Sequence, residues 1–253
     1  MILLLGHLLF AQFWMFISWL FYRKTKKEVI ADIAWALGIG LQGILYYLEF
    51  GKTPISLFLL LLLIIWSMRL SLFLWWNRLR QAWHDRRYAK IIKRSTQSAE
   101  KTLLINYQIQ GLLQWVVALC WFFSMQNQNS SWACLLIVTC IFILGLSIEI
   151  LADEQLKKFK KNPNSPVCQY GLWFYSRHPN YCGELIIWIS FAIASQHPLG
   201  IISPLVLYFI MRFITGPLTE ETSISHKGSA YILYQQTTPM IWPYKWFLSK
   251  LSR

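Results

Sequence analysis

Four polar residues at the start of a predicted helix could form a binding site for an anion. Arg177, His178, Asn180 and Glu184 come directly before or within the first turns of an apolar run at 183–196. Asn180 can cap this helix, so that free backbone N–H groups, the positive end of the helix dipole and the two basic side chains converge. Helix N-termini of this kind bind anions, and Glu184 adds a hydrogen-bond acceptor.

Gly183 and the aromatic residues Tyr175 and Tyr181 lie in the same segment. Because glycine has no Cβ, we expect Gly183 to admit the close approach of a flat ligand. A structural alternative is a capped helix surrounded by interfacial aromatic side chains. That alternative accounts for the aromatic residues and for Asn180, but it leaves the basic pair and Glu184 unexplained together.

A second polar surface is predicted on a helix that continues an apolar run into the segment 149–161. Spacings of four and three residues place one stripe of this helix at Glu149, Asp153, Leu156 and Lys160, with Lys157 beside Asp153. The carboxylate can accept hydrogen bonds from a ribose or an amide, and the lysines can neutralise phosphates. The alternative is a solvated helical turn that faces lipid headgroups and carries ordinary ion pairs.

Gly38, Gly40 and Gly43 spell G-x-G-x-x-G, the pattern of a dinucleotide-binding turn. Such a turn follows a β-strand and opens a helix, whereas these glycines lie inside an apolar run. The pattern therefore predicts close helix packing rather than phosphate binding.

The elements that must position these groups are predicted to lie in a membrane. The chain has 253 residues, of which 56% are hydrophobic and 14% charged, and its mean hydropathy is +0.40. Aromatic residues make up 17% and include 14 Trp, which suits side chains at two membrane interfaces. This composition excludes a disordered chain and a small disulfide-stabilised domain. Five Cys without a Cys-x-x-Cys pair or a Cys/His cluster predict neither a disulfide framework nor a metal site.

Apolar runs of the length needed to cross a bilayer predict an all-α, polytopic membrane helical bundle. The seven predicted spans are 2–22, 29–49, 54–76, 103–124, 132–151, 183–196 and 199–215. The last two are short, and Pro198, Gly200 and Pro204 could make them a broken hairpin. Neither a basic leader nor a cleavage pattern identifies the first run as a signal peptide.

The basic residues predict the orientation of the bundle. The formal net charge is +13, and 21 of the 24 Lys and Arg residues fall on one side of the predicted path. The positive-inside rule then places the N-terminus outside and the C-terminus in the cytoplasm. This topology explains the excess charge without nucleic acid as a partner.

The long cytoplasmic segments 77–102 and 152–182 are large enough to build a site, whereas the outer loops are too short. We therefore expect the chemistry to face the cytoplasm, from a multi-pass protein of the inner (cytoplasmic) or endoplasmic-reticulum membrane. We treat residues 1–253 as a single integral-membrane domain, with the cofactor-binding half at about 103–253.

Several motifs resemble those of a known family. They are Asp32-x-x-Trp35, Trp66-x-x-Arg69-Leu70, Asp85-Arg-Arg-Tyr88, Ala152-Asp153-x-x-Leu156, Gly171-Leu172, Tyr175-Ser-Arg-His-Pro-Asn-Tyr-x-Gly-Glu184, and Tyr231-x-x-Tyr234 followed by Trp242-Pro243. Together they resemble the DUF1295 family, whose C-terminal half resembles the C-terminal domain of steroid 5α-reductases. The resemblance implies a multi-helix membrane reductase that uses NADPH on a double bond of a lipid-like substrate, such as a steroid, isoprenoid or fatty enone.

The resemblance also implies which residues hold the cofactor. Asp153, Lys160, Asn180, Tyr181 and Glu184 match cofactor-binding positions of the reductases, with Lys160 where their motif has Arg. Adding the neighbouring polar side chains, the predicted cofactor-binding residues are Asp153, Lys157, Lys160, Tyr175, Arg177, His178, Asn180, Tyr181 and Glu184.

The substrate side departs from the steroid reductases. Their second span carries a Gln-Glu pair and their third a Tyr, whereas here span two offers Asp32 and span three has no Tyr. Their Arg and His beside the cofactor are also missing, since the corresponding stretch is Thr219-Glu220-Glu221-Thr-Ser-Ile-Ser-His226-Lys227.

Two alternatives to the reductase stay open. Arg-His-Pro-x-Tyr-x-Gly also resembles the isoprenylcysteine carboxyl methyltransferases, which use S-adenosylmethionine, although Asn180, Glu184 and the Asp153 motif favour the reductase. The second alternative is a non-catalytic lipid-binding membrane protein, with membrane lipids as its partners.

Reduction of an enone leaves negative charge on the carbonyl oxygen, so the site needs a buried proton or hydrogen-bond donor. Asp32 is our leading candidate, because an unpaired carboxylate about one turn inside span two is driven towards its protonated form. The alternative role for Asp32 is an ion pair with Arg69. Tyr88 and Tyr107 are the other candidate donors.

The cytoplasmic basic residues also predict a preference for NADPH over NADH. Recognition of the additional 2′-phosphate needs positive charge, and the sequence supplies it between 78 and 101 and between 157 and 161. Because these charges are partly exposed, we expect the preference to shrink as the salt concentration rises.

Overall fold

The computed structural model describes residues 2–80, 86–127 and 129–243, and these residues form helices and connecting segments without a β-strand. The predicted all-α membrane bundle is therefore confirmed. The first helices are α1 Ile2–Thr25, α2 Val29–Phe50, α3 Pro54–Leu74, α4 Arg86–Arg94, α5 Ala99–Val117 and α6 Leu119–Gln126. The remaining helices are α7 Trp132–Lys161, α8 Leu172–Tyr175, α9 Pro179–Ser195, α10 Ile202–Phe209, α11 Gly216–Lys227 and α12 Ser229–Thr237.

Three short segments extend these helices with different hydrogen-bond spacing. A π-helical turn at Trp75–Leu79 follows α3, a 3₁₀ turn at Pro198–Ile201 precedes α10, and a π-helical stretch at Ile210–Thr215 joins α10 to α11. The helical segments from 198 to 227 are therefore contiguous through Pro204. The broken hairpin of the last two predicted spans stays a prediction.

Six helical segments among the described residues are long and apolar enough to cross a bilayer, which makes this a multi-pass membrane protein. They are Ile2–Thr25, Val29–Phe50, Pro54–Leu79, Ala99–Gln126, Trp132–Lys161 and Pro198–Lys227. The predicted span at 183–196 lies in α9, whose 17 residues extend about 26 Å, less than the roughly 30 Å of a hydrocarbon core. The number of seven spans and the outside position of the N-terminus stay predictions.

The chain divides into two compact units. The first contains Met1–Val138 and Phe191–Val206, and the second contains Thr139–Ser190 and Leu207–Arg253. Most of the predicted cofactor-binding block lies in the second unit, and the three predicted catalytic residues lie in the first.

The G-x-G-x-x-G pattern at 38–43 packs helices together in the first unit, as predicted. A Cβ on Gly38 would overlap the side-chain amide of Gln114 from α5, and a Cβ on Gly40 would lie 2.6 Å from Ser67 Oγ of α3. Both polar side chains also donate hydrogen bonds to backbone carbonyl groups of α2. The glycines thus let three apolar helices approach closely enough to share polar contacts.

In the second unit, α7 and α9 cross at two glycines. A Cβ on Gly183 would lie 2.7 Å from Gly145 O and 2.8 Å from Glu149 N. The close approach expected of Gly183 is present, but the neighbour is the backbone of α7 and not a ligand. This crossing sets the position of α9, whose first turns carry Asn180 and Glu184.

The predicted continuation of the fifth span is also confirmed. The helix α7 runs without a break for 30 residues to Lys161. Lys157, which we expected beside Asp153, lies 3.6 Å from Glu154 Oε1 instead.

We predict that Gly183→Ala destabilises the protein because the added methyl group meets two backbone atoms that cannot rotate away. Overpacking of this kind costs about 1–3 kcal/mol. The measurement is the midpoint of thermal unfolding of the purified protein in detergent. Gly6→Ala is the matched control, since a Cβ at Gly6 in α1 meets nothing within 4 Å. Equal midpoints for the two variants would contradict the tight crossing.

Candidate functional site

The extended segment 176–178, directly before α9, forms hydrogen bonds with residues 239–240, which follow α12. Arg177 N donates to Pro239 O at 2.9 Å, and His178 N donates to Met240 O at 3.0 Å. Ser176 Oγ also donates to Met240 O, at 3.1 Å. These three bonds hold the start of α9 against a segment about 60 residues further along the chain.

A buried ion pair joins the same segment to α11. Arg177 Nε donates to Glu220 Oε1 at 2.7 Å, and Arg177 Nη2 donates to Glu220 Oε2 at 3.1 Å. The two side chains are only 11% and 7% exposed. Arg177 Nη1 donates to the backbone oxygens of Gln235, at 3.2 Å, and of Thr238. Such a bidentate pair, with both Nη1 hydrogens also bonded, is among the stronger polar contacts a protein can make.

Glu220 has further partners on both of its oxygens. His178 Nε2 lies 3.0 Å from Oε1, and Gln235 Nε2 donates to Oε2 at 2.7 Å. The His178 ring also stacks on Tyr181, with 4.8 Å between ring centroids. Arg177 and His178, expected to converge on an anionic ligand, therefore converge on an internal carboxylate.

Glu220 and Gln235 belong to this candidate site, although the sequence did not predict them as site residues. In the sequence, Glu220 stands only as a departure from the Arg and His of the steroid-reductase tail. A signal was present, since Glu220 follows an apolar run and precedes the Tyr231-x-x-Tyr234 motif. A carboxylate at the end of an apolar segment needs a buried partner. Arg177 is the one arginine in the block at 171–184 and was therefore a candidate.

Tyr231 and Tyr234 of that motif lie in α12, and both are buried. Burial raises the pKa of the Tyr231 and Tyr234 hydroxyls above their usual value, so both stay protonated at neutral pH. The Tyr234 hydroxyl lies within hydrogen-bond distance of Trp173 O and, at 3.2 Å, of Ser176 O, and its one hydrogen is shared between these two acceptors. This contact ties α12 to the segment before the ion pair.

The other side of the segment is tied to α7. Trp173 Nε1 donates to Ala152 O at 3.0 Å, and Leu172 N donates to Gln155 Oε1 at 2.9 Å. Gly171 makes this contact possible, because its φ of +60° and its closeness to the Gln155 amide both exclude a side chain. The motif around Asp153 and the block at 171–184 are therefore brought together.

Asn180 is not the cap of α9, because the helix begins at Pro179. The fixed φ of proline favours the first helical position, which moves Asn180 one residue inside. Its Oδ1 is buried and accepts no hydrogen bond from the described residues. Glu184, one turn further along, is buried and accepts from Trp188 Nε1 at 2.9 Å. Asn180 thus offers an unused acceptor on a rigid support.

The remaining predicted cofactor residues lie at the surface of the second unit. Lys157 and Lys160 are exposed on α7, and Asp153 is half-buried there. Tyr175 is exposed at the end of α8, with its ring edge-on to Phe174. These side chains are accessible to a ligand from solvent.

The second unit also contains a cleft of about 250 Å³. Its lining combines two arginines with amide, hydroxyl and aromatic groups. The lining residues are Arg177, Tyr208, Arg212, Gln235, Thr238, Pro239, Met240, Ile241 and Trp242.

Asp32, in the first turn of α2, is paired with two arginines. Its Oδ2 lies 2.6 Å from Arg87 Nη2 and 3.4 Å from Arg78 Nη1. The premise of an unpaired carboxyl group is therefore wrong, and so is the expected ion pair with Arg69. Arg78 and Arg87 both belong to the predicted cytoplasmic segment 77–102, on either side of residues 81–85.

The tyrosine candidates lie in one buried cluster of the first unit, beside Ala31 and Ala34 of α2. Tyr107 is 1% exposed, and its hydroxyl has no hydrogen-bond partner among the described residues. Tyr88 Oη accepts from Gln110 Nε2 at 3.4 Å. The Asp85 of the Asp85-Arg-Arg-Tyr88 motif and the basic residues Lys245, Lys250 and Arg253 lie outside the described residues.

Comparison with known proteins gives one family and two informative relatives. Delta(14)-sterol reductase of Arabidopsis thaliana is 31% identical over 87 residues, which cover 29% of this chain and 22% of the plant protein. Delta(14)-sterol reductase LBR of Gallus gallus is 27% identical over 129 residues, which cover 43% of this chain and 20% of that protein. The chain thus spans about a fifth of the length of these curated relatives.

No solved structure matches the chain. The model of a family described as "Protein of unknown function (DUF1295)" matches residues 18–238. Since this match covers most of the sequence, the chain belongs to the DUF1295 family.

Proposed function

We propose that this protein is a membrane reductase that uses NADPH to reduce a carbon–carbon double bond in a sterol-like or other lipid-like substrate. The observation that carries the proposal is the similarity to the two Delta(14)-sterol reductases. A helical fold with six apolar segments suits an enzyme whose substrate is dissolved in the bilayer. We place it in the inner (cytoplasmic) or the endoplasmic-reticulum membrane.

The chemistry of the second unit fits NADPH. Asn180 Oδ1 is a buried acceptor that needs an N–H donor, and the carboxamide and amino groups of the dinucleotide are such donors. Lys157 and Lys160 are exposed cations on the adjoining α7, suited to phosphates. When bound, NADPH supplies the hydride that adds to the double bond.

The ion pair between Arg177 and Glu220 acts as a positioning device. It holds the residues before α9 to α11, and the backbone bonds to Pro239 and Met240 fix the same residues from another side. Asn180 follows Arg177 by three residues, so its orientation depends on this frame. A rigid support lowers the ordering cost when a ligand binds.

The reduction also needs a proton, and Tyr107 has better support as its donor than Asp32. The Asp32 carboxyl group already contacts the Arg87 and Arg78 guanidinium groups, so it is not an unpartnered donor that faces a substrate. The Tyr107 hydroxyl is buried, protonated and unused by the described residues. We assign Asp32 the role of orienting the two arginines, with Tyr88 next to Tyr107 in the same cluster.

The cofactor is tested by titrating detergent-purified protein with NADPH, NADH and S-adenosylmethionine. Asn180→Ala should weaken NADPH binding about five- to hundredfold, because the loss of a desolvated hydrogen bond costs about 1–3 kcal/mol. Asn162→Ala is the matched control, since Asn162 is exposed beyond the end of α7. Binding of S-adenosylmethionine without NADPH would support the methyltransferase instead. Binding of lipid and of neither cofactor would support a non-catalytic role.

Glu220→Gln tests the positioning device. The amide keeps the size of the side chain but leaves the Arg177 charge buried without its partner, which costs about 3–5 kcal/mol of folding stability. We expect a lower unfolding midpoint and weaker NADPH binding, whereas Glu100→Gln, at an exposed carboxylate of α5 with only exposed ion pairs, changes neither.

The double variant Arg177→Met, Glu220→Leu separates positioning from direct contact. Replacing a buried pair by apolar groups is often neutral or stabilising. Stability and NADPH affinity should therefore recover in part, with the remaining loss due to His178 and Gln235, which lose their acceptor. Recovered stability with persistently weak binding would show that Arg177 contacts the cofactor itself.

Tyr107→Phe tests the proton donor. Removal of the hydroxyl should slow turnover of a Delta(14)-sterol by at least about a hundredfold and leave NADPH affinity nearly unchanged. Tyr46→Phe is the matched control, because Tyr46 also has a buried hydroxyl without a hydrogen-bond partner among the described residues. Near-normal turnover of Tyr107→Phe would exclude Tyr107 as the donor.

A further inference from the structure

Arg212 lies in an unusual place for a charged residue. It belongs to the π-helical stretch Ile210–Thr215 inside the apolar helical segment that runs from 198 to 227. Arginines within apolar membrane segments are costly, and those that are present commonly face a cavity and act on a ligand. Stretches of π-helix are likewise frequent at functional sites, because the extra residue per turn re-aims side chains.

The surroundings of Arg212 leave its charge available. The guanidinium carbon lies 5.4 Å from the centre of the Phe213 ring, and no carboxylate of the described residues forms an ion pair with it. Its side chain is exposed and lines the cleft of the second unit. Arg177, the other arginine of the lining, is neutralised by Glu220. Arg212 is thus the uncompensated cation of this cleft among the residues the structure describes.

The rest of the lining suits one phosphorylated end of a nucleotide. Gln235 and Thr238 offer polar contacts, and Tyr208 and Trp242 offer aromatic faces on which a base can stack. The volume of about 250 Å³ is smaller than the roughly 300–1,000 Å³ of sites that enclose a whole drug-sized ligand. The cleft is therefore large enough for part of a dinucleotide and not for all of it.

We propose that Arg212 recognises the 2′-phosphate of NADPH and so determines the preference for NADPH over NADH. The inference rests on the proposed function. It assigns the preference for NADPH to one residue, in place of the many basic residues at 78–101 and 157–161. A guanidinium group presents a planar fork that matches two phosphate oxygens, which an exposed lysine does not. A lipid headgroup phosphate has the same chemistry, and the test distinguishes the two sources.

The experiment measures the ratio of NADPH to NADH affinity of the purified full-length chain in neutral detergent. Arg212→Gln should lower this ratio at least about tenfold, almost entirely by weakening NADPH, since a charge-assisted hydrogen bond contributes about 1.5–3 kcal/mol. Arg212→Lys should retain part of the preference because it keeps the charge. NADH affinity serves as the readout for a merely structural effect and should stay constant in both variants.

Arg80→Gln is the matched control. Like Arg212, Arg80 is exposed and lies over an aromatic ring, at 4.4 Å from the centre of Trp76. Arg80 directly follows the π-helical turn Trp75–Leu79. If its ratio falls as far as that of Arg212→Gln, the preference arises from diffuse charge and the inference is overturned.

The remaining outcomes separate this inference from the proposed function. NADPH binding with a ratio that Arg212→Gln leaves unchanged overturns the inference alone. An unchanged ratio together with weaker binding of phosphatidic acid, measured against phosphatidylcholine in mixed micelles, assigns Arg212 to lipid phosphate and also overturns it. Failure of the unmodified protein to bind either dinucleotide overturns the proposed function and the inference together.

Discussion

The candidate site depends on a salt bridge that is almost completely withdrawn from solvent. Arg177 and Glu220 would each be costly to bury alone, and they are tolerated because every oxygen of the carboxylate and most N–H groups of the guanidinium have partners. This requirement draws α9, α11 and the chain after α12 to one point. The unpartnered acceptor on Asn180 and the cleft beside Gln235 are consequences of that convergence.

Features that depend on local patterns were predictable from the sequence. The glycines at 38–43 had to pack helices, because no strand precedes them and an apolar run surrounds them. The helix α7 had to continue beyond the membrane, because its polar residues keep helical spacing up to Lys161. The block at 171–184 stood out because a capped helix alone does not explain Arg177 and Glu184, and the structure gives both of them internal partners.

Features that depend on distant partners were not predictable. Nothing local indicates that Arg177 faces Glu220, 43 residues away, or that Asp32 faces Arg87, 55 residues away. The N-cap was predicted two residues too late, at Asn180, because Pro179 is itself a good first helical residue. Gly183 was correctly identified as a place of close approach, but the sequence could not tell a ligand from the backbone of α7.

The hydrogen bond between Ser176 and Met240 joins residues 64 positions apart, so it can form only after Met240 has been synthesised. During synthesis, α9 emerges while the carbonyl of Met240 does not yet exist, and at roughly 5–20 residues per second the wait lasts several seconds. Glu220 follows Arg177 by 43 residues, so the Arg177 guanidinium has to stay hydrated until Glu220 has been made. The contacts that join the start of α9 to α11 and to the chain after α12 are therefore late steps of biogenesis.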